Sequence, residues 1–149
     1  MAPTQILTNL FLGDAADAVE WAPTVGLDKR RAMVCVLEAC PLNIASPPYH
    51  FHIHLIGTAS DNLVSPASLE AVSTILGYFR NKGWELLIHC GAGIERSPLA
   101  VAWYLANHIA ASWYQDHGID PIFTLDKAYK FIMSKRPQMQ DRQQWIASV

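Results

Sequence analysis

Cys90 and Arg96 stand at the two ends of a short glycine-bearing stretch, Gly91 to Glu95, and a thiol and a guanidinium so placed could work on a phosphate ester. The stretch follows the apolar run Leu86 to Ile88 and precedes a helix-forming run from Pro98. A loop that short must curl to join strand to helix, and its backbone N–H groups can then converge on one tetrahedral anion. Gly91 and Gly93 allow the unusual dihedrals and close approach that such a curl needs. The helix N-terminus adds about half a positive charge, and Arg96 supplies an always-ionised bidentate fork. Ala92, Ile94 and Glu95 complete this cradle for a dianion, with Gly91, Gly93 and Arg96.

Cys90 stands at the floor of the cradle, where the same positive potential favours the nucleophilic thiolate. Ser97 has two compatible readings: a hydroxyl bonded to the sulfur, steadying it as nucleophile and leaving group, or an N-cap ahead of Pro98. His89, pointing to the other side of the strand from Cys90, reads as a residue that orients the loop and tunes the sulfur. Glu95 would oppose a bound anion if it faced inward, so it reads as facing outward, bonded to an arginine or to backbone nearby. The plain alternative for the segment is a buried structural cysteine beside a surface arginine. His, Cys, Gly, Arg and Ser occurring together in one register argue against it.

These side chains need a strand to present the cysteine and a helix aimed at it. Leu86 to Ile88 reads as a buried strand, and the run from Pro98 to Ile109 is apolar nearly all round, as a central helix would be. ILTNLFLG reads as two short strands around Thr8 and Asn9, followed by a helix from about Asp14 to Trp21. Ala32 to Leu37 is a strand buried on both faces, with Cys35 in the core, preceded by a solvated turn at Lys29, Arg30 and Arg31. His50 to Ile56 alternates as a strand with His50, His52 and His54 on one face. Alternate strand positions supply only part of a metal's coordination shell, so this is read as a polar strand face. Ser65 and Pro66 start a helix carrying Leu69, Val72, Leu76 and Phe79, closed by Arg80, Lys82 and Gly83. Thr124 opens another, carrying Leu125, Ala128, Tyr129 and Ile132 and stopped by Pro137, and a short helix near Trp145 ends the chain. The pattern predicts an α/β fold: a central, mostly parallel sheet of about four to five strands flanked by helices on both faces.

The 149 residues fit one domain spanning 1–149. With 51% apolar and 16% charged residues, a compact core is expected and disorder is not. A net charge of −2 provides no global basic field for nucleic acid or acidic lipid, so any anion affinity is local. Three cysteines, Cys35, Cys40 and Cys90, in a well-stocked core are the usage of a reducing compartment, which predicts a cytoplasmic protein. The N-terminus lacks the pattern of a signal peptide. The longest greasy stretch, Pro98 to Ala111, is interrupted by Asn107 and His108 and reads as a core helix rather than a membrane span. The expectation is a monomer without membrane or nucleic-acid partners, metal or other cofactor.

His89 to Ser97 matches HCxxGxxRS, and on that motif the chain resembles the cysteine-dependent protein-tyrosine-phosphatase superfamily, its small size resembling the dual-specificity branch. LFLGDAADA is similar to that branch's strand-and-turn opening, and Lys135-Arg136-Pro137 stands where the family's Arg-Pro follows the penultimate helix. The resemblance implies a protein-tyrosine-phosphatase-like fold. It also implies hydrolysis of phosphomonoesters, chiefly phosphotyrosine with phosphoserine and phosphothreonine, on a phosphorylated protein or peptide partner. The route would be a phosphocysteine on Cys90, with Arg96 and the loop amides holding phosphate. An acid is implied upstream, and Asp61 in the turn TASDN stands in the right place; the plain alternative is a turn aspartate beside Asn62. Asp14 and Asp17 fall in the predicted first helix instead. Some members protect the nucleophile by a reversible disulfide from a position like that of Cys40, which makes Cys40 a candidate redox partner of Cys90; a small buried cysteine is the alternative.

The chain departs from the family pattern in two places. Residues from about His108 to Pro121 read as an insertion, and Gln138 to Gln144 replaces the usual Pro-Asn stretch, making Gln140 and Gln143 candidates for positioning water. Asp61, Asn62, Ile94, Trp113 and Tyr114 are candidates for the rim of the cleft, the last two reading equally well as packing residues. Positions 91–95 carry no lysine, which fits phosphoprotein better than phosphoinositide. Two other classes compete. A rhodanese-type sulfurtransferase fits the loop's Arg-Ser ending less well, and a non-catalytic phosphate-binding module leaves Cys90, Arg96 and a plausible acid without purpose.

Overall fold

The computed structural model describes residues 3–36, 49–53, 55, 64–91 and 95–146. Strands β1 (Thr4–Leu7) and β2 (Leu10–Gly13) form an antiparallel pair. Asn9 makes the reversal in the left-handed conformation at φ 66°, which its short polar side chain tolerates. Asp14 is the cap of helix α1 (Ala15–Trp21) rather than its first residue. Its carboxylate accepts from the Asp17 amide at 2.8 Å while the Asp17 carboxylate accepts from the Asp14 amide at 3.0 Å. Both aspartates are thus spent on the helix start.

Three further strands, β3 (Arg31–Cys35), β4 (His50–His52) and β5 (Glu85–His89), complete a sheet of order β1-β2-β5-β3-β4. Every pairing except β1 with β2 is parallel, as the apolar runs predict. Both faces are covered. On one, Met33 and Leu87 pack against Ala18 and Trp21 of α1. On the other, Val34, Leu86 and Ile88 meet α2 (Pro66–Asn81), α3 (Arg96–His108) and α5 (Leu125–Lys135) through Leu69, Leu76, Leu99 and Ile132. Ser65 caps α2 by accepting from the Ala67 and Ser68 amides at 3.0 and 3.3 Å, and Thr124 caps α5 through the Lys127 amide at 3.2 Å.

Several expectations change. Among the described residues β4 pairs over three positions, opposite Met33, Val34 and Cys35, and His54 and Ile56 lie outside the described residues. Arg31 belongs to β3 rather than to a solvated turn: it pairs with Glu85 at 3.0 Å and lies over the Trp21 ring at 4.4 Å. The inserted segment contains α4 (Ala111–Asp116). Its Tyr114 is fully buried and donates its hydroxyl to the Leu105 carbonyl at 2.9 Å, while Trp113 stacks on His117 at 3.9 Å. Tyr114 therefore meets the C-terminal half of α3 at Leu105, which at 1.5 Å per residue lies roughly 14 Å along the helix from Arg96. These two aromatics pack the fold and do not form the rim of the cleft.

The expected tail helix is a 3-10 turn, Gln143–Trp145. Beyond it Ile146 bridges to Val64, whose amide donates to the Trp145 carbonyl at 2.6 Å. Arg136, 2% exposed, donates from Nη1 to Thr4 Oγ1 at 2.9 Å and to the Leu12 carbonyl at 3.4 Å, tying the end of α5 to the first two strands. Among the described residues, no helix is long and apolar enough to cross a membrane.

Candidate active site

β5 is the middle strand of the sheet, and the signature begins at its carboxyl end, where open α/β sheets place their ligands. The strand end is held from both sides. The Val36 amide donates to the His89 carbonyl at 3.1 Å, and the Ala15 amide at the start of α1 donates to the Gly91 carbonyl at 2.9 Å. Cys90, 3% exposed, lies between these two ties. Across the loop, α3 begins at Arg96, and the fully buried Ser97 brings its Oγ to 3.1 Å from the Cys90 sulfur.

That contact decides between the two readings of Ser97. The residue lies inside the first turn of α3, its hydroxyl goes to sulfur, and the cap position belongs to Glu95, whose side chain makes no capping bond. The sequence signal was misleading because Pro98 marks a helix start, yet the helix begins two residues earlier. With no side-chain cap, the first amides of α3 keep their N–H groups for the loop side, the arrangement that binds anions.

Gly91 also differs from expectation. Its φ is outside the left-handed region, and a Cβ there would meet nothing within 4 Å, so this end of the loop turns with dihedrals open to other residues. Ala92, Gly93 and Ile94 lie outside the described residues, as do Asp61, Asn62 and Cys40.

His89 is fully buried, and among the described residues neither ring nitrogen has a hydrogen-bond partner of ordinary geometry. Its ring stacks on that of His50 with centroids 6.2 Å apart. Burial, reinforced by His50, pushes its pKa down to about 4, with the Cys90 backbone opposing only weakly. The imidazole is therefore neutral near pH 7 and acts beside the sulfur through packing and its dipole, not as a cation. His50 is lowered too, by burial and then by His52. Cys35 lies in register with both His52 and His89 and is fully buried in the core. Among the described residues, no group of three metal-ligating side chains is arranged to hold an ion.

Glu95 is bonded to an arginine, and that arginine is Arg142. Nε lies 3.0 Å from Glu95 Oε2, Nη2 donates to Gln140 Oε1, and the guanidinium lies 5.2 Å over the Trp145 ring. Sequence reasoning missed Arg142; the available signal was an acidic side chain in a loop built for anions, which demands a cation elsewhere. The two glutamines considered for positioning water are otherwise engaged, Gln140 with Arg142 and Gln143 with Asp141 Oδ2 at 2.8 Å.

No family model matches the chain. It is 29% identical to human dual specificity protein phosphatase 16 over 140 residues, 92% of this chain. It is 26% identical over 136 residues, 91% of this chain, to the candidate tyrosine phosphatase 123R of Invertebrate iridescent virus 6. The chain spans 18% of the length of the human relative and 81% of the viral one. Among solved structures, human DUSP28 aligns with a TM-score of 0.65 at 20% identity, covering 95% of this chain and 89% of that one. In sequence the chain is similar to dual-specificity and tyrosine phosphatases, and in fold it is similar to a solved dual-specificity phosphatase. Its protein-tyrosine-phosphatase-like fold sets the HCxxGxxRS motif at the carboxyl end of β5, with the first two motif residues on or beside the strand and the last two in α3.

Proposed function

We propose that this chain is a phosphomonoesterase that hydrolyses phosphotyrosine in proteins or peptides, and phosphoserine and phosphothreonine as well, through a phosphocysteine. The observation that carries the proposal is the buried 3.1 Å contact between the Cys90 sulfur and the Ser97 hydroxyl, made where β5 meets the uncapped start of α3. A hydroxyl there can donate to a thiolate, which suits a sulfur that must attack and later depart.

In this reading the Cys90 thiolate attacks phosphorus in line with the ester oxygen. An S–P bond forms, the P–O bond to the substrate breaks, and Asp61 gives its proton to the departing oxygen. The Asp61 carboxylate then takes a proton from water as that water attacks phosphorus. The S–P bond breaks, inorganic phosphate leaves, and sulfur returns to the thiolate held by Ser97. Arg96 and the loop amides hold the equatorial oxygens throughout. Cys40 is proposed to form a reversible disulfide with Cys90 under peroxide, and a Cys40–Cys90 peptide in non-reducing mass spectrometry would show it.

Turnover of a chromogenic aryl phosphate in the presence of chelator tests the main proposal. Activity abolished by Cys90→Ser supports it. No turnover by the wild type, or turnover retained by Cys90→Ser, refutes it. Asp61→Ala should slow release of alkyl leaving groups far more than of good aryl ones; equal turnover of alkyl substrates would remove Asp61 from the mechanism.

A further inference from the structure

A carboxylate within the phosphate loop, immediately before Arg96, opposes the anion that the loop is built to hold. Glu95 is that carboxylate, and its Oε2 lies 3.0 Å from Arg142 Nε. Arg142 is itself fixed from several sides. Its guanidinium meets Gln140 and the Trp145 ring, and its amide donates to the hydroxyl of Tyr129, a residue 1% exposed, at 3.4 Å. The segment that carries it is pinned as well, since the Trp145 carbonyl accepts from the amide of the fully buried Val64, which follows Asp61 closely along the chain. One short stretch thus reaches the end of the loop on one side and the chain just beyond the proposed acid on the other.

We infer that Arg142 is a positioning residue for phosphate binding, acting through Glu95: it neutralises that carboxylate and holds it turned away from the cradle. The inference rests on the phosphatase reading and adds to it a residue outside the signature. Without Arg142, Glu95 is free to swing toward Arg96 and compete with the bound dianion for it. Both partners of the pair are about one-third exposed, so the electrostatic effect is screened rather than maximal.

The test is a double-mutant cycle read by calorimetric binding of inorganic phosphate and by KM for an aryl phosphate. Arg142→Ala should weaken phosphate binding roughly three- to tenfold and raise KM by a similar factor, with kcat moving less. In a Glu95→Gln background the same substitution should change binding by less than about twofold, because the carboxylate to be restrained is gone. Equal losses in the two backgrounds would overturn the inference, since Arg142 would then act only through its own field or through the fold. Should Arg142→Ala fail to fold, Arg142→Gln serves in its place, and the same dependence on Glu95 is expected. Wild-type protein that neither binds phosphate nor turns over the ester would refute the phosphatase reading, whereas normal wild-type binding without coupling between the two positions would refute only the role of Arg142.

Discussion

His89 ties the candidate site to the pH dependence of folding, and the size of that link can be worked out. Its pKa in the folded chain is about 4 against an ordinary 6.5, because the ring is buried and His50 lies beside it. In the unfolded chain the imidazole takes up a proton near its ordinary pKa; in the folded chain it resists until about 4. Between these values the unfolded state binds more protons, so stability rises with pH and is lost on acidification through that window. The full difference is about 3 kcal/mol at roughly 1.4 kcal/mol per pH unit, and about 2 kcal/mol of it is gone by about pH 5. His50 acts in the same direction. Asp17 acts in the opposite one, since burial and the adjacent Asp14 raise its pKa and acidification relieves that cost. Urea unfolding at about pH 7.5 and about pH 5, for wild type and His89→Asn, isolates the imidazole. The wild type should lose about 2 kcal/mol more than the variant over this interval. Equal losses would mean that His89 titrates alike in both states, and the burial argument would fall.

Ser97→Ala removes the only hydroxyl seen beside the sulfur among the described residues, and kcat should fall about ten- to hundredfold, with a burst of leaving group in pre-steady-state assays marking slowed breakdown of the phosphocysteine. Gly13→Ala sets a Cβ 2.7 Å from Asp17 Oδ2 and 3.1 Å from Leu87 Cδ1, and should cost about 1–3 kcal/mol in urea unfolding. Gly77→Ala meets only Tyr104 Cε1, at 3.9 Å, in the middle of α2, so thermal unfolding should show a gain of about 0.5–1 kcal/mol. Tyr114→Phe strands the Leu105 carbonyl and should cost about 1–2 kcal/mol without changing turnover, in keeping with its place against the C-terminal half of α3.

Much of the scaffold was legible because its causes are local. Apolar runs bounded by turn residues marked β3 and β5, and Asp14, Ser65 and Thr124 lie where a helix start needs an oxygen. The candidate site was legible where its chemistry is contiguous: strand, thiol, loop and arginine follow one another, so the order of residues already implies their proximity. Ser97 was only half legible, because a hydroxyl beside a proline signals a cap whether or not a sulfur waits across the turn. For β4, alternation of side chains marked an extended chain but not how many residues find a pairing partner: His50 to His52 pair with β3, and His54 and Ile56 lie outside the described residues.

By itself, then, the order of residues determined the strand-loop-helix unit, the covering of both sheet faces and the place of Cys90 at a strand end, all consequences of short-range geometry and of where apolar surface must go. Tertiary structure alone decided that Ser97 serves the sulfur, that Arg142 takes Glu95, that Tyr114 packs under α3 and that Val64 meets the tail at Trp145. Each of these joins groups brought together by the path of the chain through the core. Charge and hydrogen-bonding capacity announce that a partner is needed; only packing selects which one arrives.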